Sequence, residues 1–145
     1  MDAARTAPLQ RLIDFYSTLT RESAADAAAV YAAGASFKDP FNDVRGSAAI
    51  SRILLHTFDD LSDARFVIRE AVEQDGQAFL LWDFTFRVKR WQPGIERAIH
   101  GASHVRFDAA GKVSYHRDYW DAGEELYEKL PLFGALVRWV RRRFG

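Results

Sequence analysis

The sequence predicts an α+β domain in which N-terminal helices pack on one face of a curved antiparallel sheet and leave a cone-shaped pocket. Three observations carry this. Apolar residues recur at helical spacing between Pro8 and Leu61; from Ser62 onward the period drops to two; and 14% of the residues are aromatic, enough rings to line a hollow as well as fill a core. A sheet with helices only before and after it must bury one face under those helices. A twisted sheet curling around a helix leaves a conical gap.

Pro8 suits the first turn of a helix, and Leu9, Leu12, Ile13, Tyr16 and Leu19 follow on one stripe. A second helix is expected from Ser23, where Ser23 and Asp26 resemble a capping box, through the Ala-rich run to Tyr31. A short strand, Ala35 to Lys38, stops at Asp39-Pro40. Ser47, after Gly46, is the expected cap of a third helix with Ile50, Ile53, Leu54, Phe58 and Leu61 on its buried face.

Four antiparallel strands should then follow. Phe66, Ile68 and Val72 alternate with charged residues up to the hairpin signal Asp75-Gly76, and a long strand returns from Ala78 to Trp91. On it Trp82, Phe84, Phe86 and Val88 share a face; Arg90 and Trp91 either guard a mouth or sit in solvent. After Pro93-Gly94 the strand Ile95 to Phe107 puts Ile99, Gly101 and Ser103 on one side and His100, His104 and Arg106 on the other. Gly101, lacking a side chain among bulky neighbours, is expected to open space. These inward residues are the candidate substrate contacts.

The last strand, Lys112 to Asp121, reads K-V-S-Y-H-R-D-Y-W-D. Strict alternation puts Ser114, His116, Asp118 and Trp120 on one face and Val113, Tyr115, Arg117 and Tyr119 on the other. An imidazole and a carboxylate two apart are unusual on a face meant only for packing, because a buried charge must be paired or neutralised. His116 and Asp118 either share a proton as a functional pair, or Asp118 fixes the first helix to the sheet by accepting from Tyr16 or the backbone. Asp39 before Pro40 either organises its turn or, beside an aromatic hollow, acts as a base whose pKa burial raises. His100 and His104 stand too far apart on a strand to share zinc, so no metal and no cofactor is expected.

Composition narrows the function classes. Nearly half the residues are hydrophobic (48%), which excludes disorder, and zero formal net charge gives no overall nucleic-acid footprint. The absence of Cys removes thiol nucleophiles and disulfides. No stretch has the roughly 18 apolar residues of a membrane span. A single domain over residues 1–145, soluble and cytoplasmic, is the expectation. A terminal helix over about 132–143 carries Leu132, Leu136 and Val140 in line and Arg138, Arg141, Arg142 and Arg143 in a cluster. It is expected to dock through Trp139, its arginines complementing its own dipole, rather than to touch a membrane.

The element order, the Asp39-Pro40 dipeptide, the segment V-R-F-D-A-A-G-K-V from Val105 to Val113 and R-D-Y-W-D from Arg117 to Asp121 together resemble the nuclear transport factor 2-like superfamily. That superfamily includes SnoaL-like polyketide cyclases, ketosteroid isomerases and limonene epoxide hydrolases, and the likeness spans about residues 8–130. The isomerase likeness implies Asp39 as general base, Tyr16 as oxyanion donor and Trp120 as a cavity wall, with Ser103 where that branch has a protonated Asp. Likeness to the hydrolase ending W-R-D-Y-F-D nominates Asp118, with Phe84 and Phe86 where that branch has its Arg and second Asp. The resemblance implies an apolar substrate, acid/base chemistry by Asp39, Tyr16, His116 and Asp118 with Ser103 as a second donor, and a homodimer through the outer sheet face. A binding module without catalysis is the alternative.

Overall fold

The computed structural model describes residues 4–125 and 139–144. Helix α1, Ala7–Ser17, starts at Thr6, whose side chain accepts from the Leu9 amide, with Pro8 in the first turn where a missing N–H costs nothing. Leu9, Leu12, Ile13 and Tyr16 form its buried stripe, as their spacing requires. The second helix differs from expectation. α2 is one turn, Arg21–Ala24, capped reciprocally by Thr20 and Ser23, and a 3-10 turn at Ala27–Ala29 follows.

The chain is already extended at Tyr31. Strand β1, Tyr31–Lys38, takes up the Ala-Gly segment whose side chains are too small to mark a strand by periodicity, and it pairs with a short β2, Asp43–Arg45, that the sequence does not signal. Gly46 caps α3, Ser47–Asp60, at φ 100°, a left-handed backbone that favours glycine over the expected Ser47. Ile50 and Leu54 are buried, and Ser51 Oγ accepts from the Ala27 amide.

Strands β3 (Leu61–Gln74), β4 (Gln77–Val88), β5 (Arg97–Phe107) and β6 (Val113–Tyr119) follow, with a four-residue helix α4, Ala122–Glu125, after them. The β3–β4 turn has Asp75 and Gly76 both at positive φ, the hairpin geometry that this dipeptide predicts. The six-stranded sheet has the order β2-β1-β6-β5-β4-β3. It is curved and unclosed, with α1 and α3 against its inner face. Every pairing is antiparallel except β1 with β6, which is parallel and joins the start of the chain to its last strand.

That last strand departs from strict alternation. Arg106 pairs with Tyr115 and Phe107 with Val113, so one extra residue, Ser114, is accommodated as a bulge. The bulge lets Val113 and His116 both point into the core, and Ser114 instead donates to the Arg106 carbonyl. On the outer sheet face Val72, Phe79, Leu81 and Tyr119 are exposed. No helix among the described residues is long and apolar enough to cross a membrane. Leu132, Leu136 and Arg138 lie outside the described residues; residues 139–144 are helical, and Trp139 is 54% exposed rather than an anchor.

Candidate functional site

The pleat of β4 sends Trp82, Phe84 and Phe86 inward, all buried, while β5 adds Ile99. Phe66 stacks on Phe84 at 4.4 Å and Phe84 on Phe86 at 5.1 Å, a ladder of rings across two strands. Facing them across a hollow of about 450 Å³ are α3 and the turn after β1. Trp82, Phe84, Phe86, Val88, Ile99 and Trp120 line this hollow, and the side chains that bring chemistry to it are Tyr16, Asp39 and Asp118. Phe41, His56 and Asp60, all exposed, mark its open side.

Deep in the hollow the polar groups form one continuous chain of hydrogen bonds. Trp82 Nε1 donates to Ser103 Oγ at 2.8 Å, and Ser103 Oγ donates to Asp118 Oδ1 at 2.5 Å. His116 Nε2 lies 2.6 Å from that same oxygen, its Nδ1 lies 2.7 Å from Tyr31 Oη, and Tyr31 Oη lies 2.5 Å from Tyr16 Oη. The direct His116–Asp118 contact is made by neighbours two apart on one strand face. His116 is only 4% exposed; an imidazole so buried requires partners on both nitrogens, and it has them.

Proton positions along this chain are linked. A carboxylate at Asp118 accepts a hydrogen bond from His116 Nε2–H; in a neutral imidazole Nδ1 must then accept, so Tyr31 donates to His116 and Tyr16 donates to Tyr31. Protonating His116 reverses both hydroxyls and turns the Tyr16 proton toward the hollow. Burial pushes both phenols well above their ordinary pKa, and the negative charge of Asp118 pushes the same way, so neither ionises near neutrality. Both phenols act as O–H groups. Asp118 Oδ2 accepts no hydrogen bond from the described residues, leaving that oxygen available. A chamber of about 20 Å³ beside Ser103 and His116 has room for one water at most, so an organic molecule meets Asp118 from the larger hollow.

Two expectations need correction. Gly101 does not open space: a Cβ there would stand 2.4 Å from Trp82 Cη2, so the missing side chain makes room for the indole. Ser103 is not a free oxyanion donor, since its one hydroxyl proton goes to Asp118 and its oxygen accepts from Trp82; it positions the carboxylate. Asp39 reaches the hollow, yet its Oδ1 accepts from the Phe41 and Asn42 amides, both at 2.7 Å, and from Asn42 Nδ2 at 3.0 Å. That is the turn-organising arrangement open to an Asp before Pro.

Tyr31 is the site residue that sequence reasoning missed. Tyr31, Ala35 and Phe37 are buried, but Ala33 between them is exposed and the register with β6 shifts there, so the Ala-rich segment carries no unbroken strand period and reads as helix.

A chain of this architecture, a helix-backed curved sheet around an aromatic hollow with a carboxylate at its depth, is a member of the cone-shaped α+β class. The SnoaL-like domain model matches residues 12–116, and the chain belongs to that family. Among solved structures it is similar to a ketosteroid isomerase-like fold protein from Catenulispora acidiphila, crystallised with trimethylamine (13% identity, 85% of this chain and 92% of that one, TM-score 0.71). It is also similar to a Shewanella putrefaciens protein classed by name with the SnoaL-like polyketide cyclases (17%, 89% and 99%, 0.71). A third is an LEH-like epoxide hydrolase from M. tuberculosis (12%, 92% and 93%, 0.65). At such identities these likenesses establish the fold alone. No curated protein matches the sequence.

Proposed function

We propose that this chain is an acid/base enzyme for a small apolar, carbonyl-bearing molecule, acting as an isomerase, cyclase, lyase or hydrolase without a cofactor. The observation that supports it is the one-sided carboxylate: Asp118 lines the aromatic hollow with Oδ1 fixed by Ser103 and His116, while Oδ2 accepts no hydrogen bond from the described residues. Asp118 takes a proton from carbon, and Tyr16, at the end of the hydrogen-bond chain from His116, donates to the oxygen where charge develops. Trp82, Phe84, Phe86, Val88, Ile99 and Trp120 bind the apolar body, and Asp39 shapes the turn that carries Phe41.

The test is proton exchange from carbon into deuterated water across a panel of enolisable ketones, followed by NMR, with turnover of epoxides measured alongside. Asp118→Asn should lower the rate by about 10²–10⁴-fold and Tyr16→Phe by less. Full activity in Asp118→Asn would sink the assignment. Saturable binding with no exchange in the wild-type chain would favour the binding module instead.

We also propose a homodimer through the outer sheet face. The exposed row of Val72, Phe79, Leu81 and Tyr119 supports it, as large apolar side chains clustered in solvent favour a partner surface.

A further inference from the structure

Next to Phe86, on the inner face of the sheet and just outside the residues that line the hollow, is a cation that the acid/base reading does not use. Arg97 pairs directly with Phe86 across the β4–β5 ladder, so its side chain leaves the sheet on the same face as that ring. Phe86, its diagonal neighbour Val88 and the next inward residue on its own strand, Ile99, all line the hollow.

The guanidinium is held in place by neutral groups. It lies 4.0 Å from the centroid of the Trp91 ring, and its Nη2 donates to Gln92 Oε1 at 2.8 Å. Gln92 adopts φ 46°, a left-handed backbone that Gln rarely takes, which sets its amide against Arg97. Arg97 forms no salt bridge among the described residues, and its buried Nε has no acceptor. The neighbouring acids Asp63 and Glu96 are engaged by Arg87 instead. With its oxygen turned to Arg97, the Gln92 amide nitrogen adds a further donor beside the guanidinium. A fixed single positive charge with a neutral donor beside it matches the two oxygens of one carboxylate.

We propose that the hollow takes an elongated apolar carboxylate, its head held by Arg97 and Gln92 at the β4–β5 end and its body running along the ring ladder toward Asp118. This rests on the reading of the hollow as the ligand site and adds the substrate class. Six residues along β5 separate Arg97 from Ser103, the register partner of Asp118, which is about 20 Å of strand path. The ligand is therefore longer than a single ring. Asp60 also lines the hollow, so an amine head would be drawn to that carboxylate and an acid head to Arg97.

Calorimetric titration with decanoate, methyl decanoate and decylamine tests this on the full chain, wild type and Arg97→Gln. The acid should bind about tenfold more tightly than the ester in the wild type, and the two should become equal in Arg97→Gln. Arg97→Lys, which keeps the charge without the planar fork, should fall between. Equal binding of acid and ester by the wild type would overturn the carboxylate site while leaving the hollow as a ligand site. Tighter binding of the amine, or discrimination surviving in Arg97→Gln, would also overturn it. Binding of none of the three would overturn this proposal together with the hollow as a binding site.

Discussion

Replacing Tyr31 with Phe tests the hydrogen-bond chain most directly, because it keeps the ring and removes one oxygen. That oxygen stands 2.5 Å from Tyr16 Oη and 2.7 Å from His116 Nδ1, in a residue only 1% exposed. Its loss strands two buried polar groups at about 1–3 kcal/mol each, less the desolvation of the phenol itself, so the net cost is about 2–4 kcal/mol. For a domain of this size that lowers Tm by about 5–15 °C. Tyr16→Phe in the wild type costs about 1 kcal/mol, because Tyr31 keeps its bond to His116. In the Tyr31→Phe background the Tyr16 hydroxyl is already orphaned, and removing it should cost nothing or stabilise. Urea unfolding of the four proteins gives the coupling, expected at about 1 kcal/mol or more. Additive losses, or a Tyr31→Phe cost below about 0.5 kcal/mol, would refute the claim that these hydroxyls form one chain.

Gly101→Ala should destabilise the fold by about 2–4 kcal/mol, since the new Cβ collides with the Trp82 indole and displaces the Nε1–H bond to Ser103. Trp82→Phe should relieve most of that collision in the double variant, and a collision unrelieved there would count against the packing account. The buried phenols predict a specific alkaline behaviour. In the unfolded chain tyrosines titrate near about pH 10, whereas burial holds Tyr16 and Tyr31 protonated above it. Their contribution to stability is therefore intact below pH 10 and declines above it by about 1.4 kcal/mol per pH unit per phenol. Ultraviolet titration of the folded protein at about pH 11 should give the same phenolate signal in Tyr16→Phe and Tyr31→Phe as in the wild type, and a smaller signal in either variant without unfolding would contradict their burial. For the proposed dimer, sedimentation should show a concentration-dependent association that Phe79→Glu abolishes; a wild-type chain monomeric at high concentration would dismiss it.

The parts of this fold legible in the sequence were those whose side chains are large enough to carry a period. The α1 stripe, the aromatic ladder of β4 and the Asp75-Gly76 hairpin all fall where spacing puts them. The parts that were not legible share a cause. β1 is built from Ala, Gly and Ser in its middle, which tolerate helix and strand alike, and its parallel pairing with β6 is a contact between distant segments that no local pattern encodes. The Ser114 bulge changes alternation by one residue, leaving a sequence that still scans as an unbroken strand.

The same physics explains which site residues could be anticipated. Asp118 and His116 stood out because charge on an inward strand face is costly and therefore rarely accidental. Tyr31 did not, because a phenol amid alanines looks like packing until its partners are known. Asp39 shows the converse: a carboxylate in a telling dipeptide can spend its lone pairs on its own turn. What separates the two acids is the number of protein donors each already satisfies. Asp39 has its turn filling Oδ1 and Asn42 on Oδ2, whereas Asp118 has one oxygen clamped and the other without a donor among the described residues. A base needs an oriented carboxylate with an unfilled lone pair, and by that criterion the proposed proton abstraction is assigned to Asp118 rather than Asp39, with the histidine and two phenols behind it linked to the direction of the Tyr16 proton.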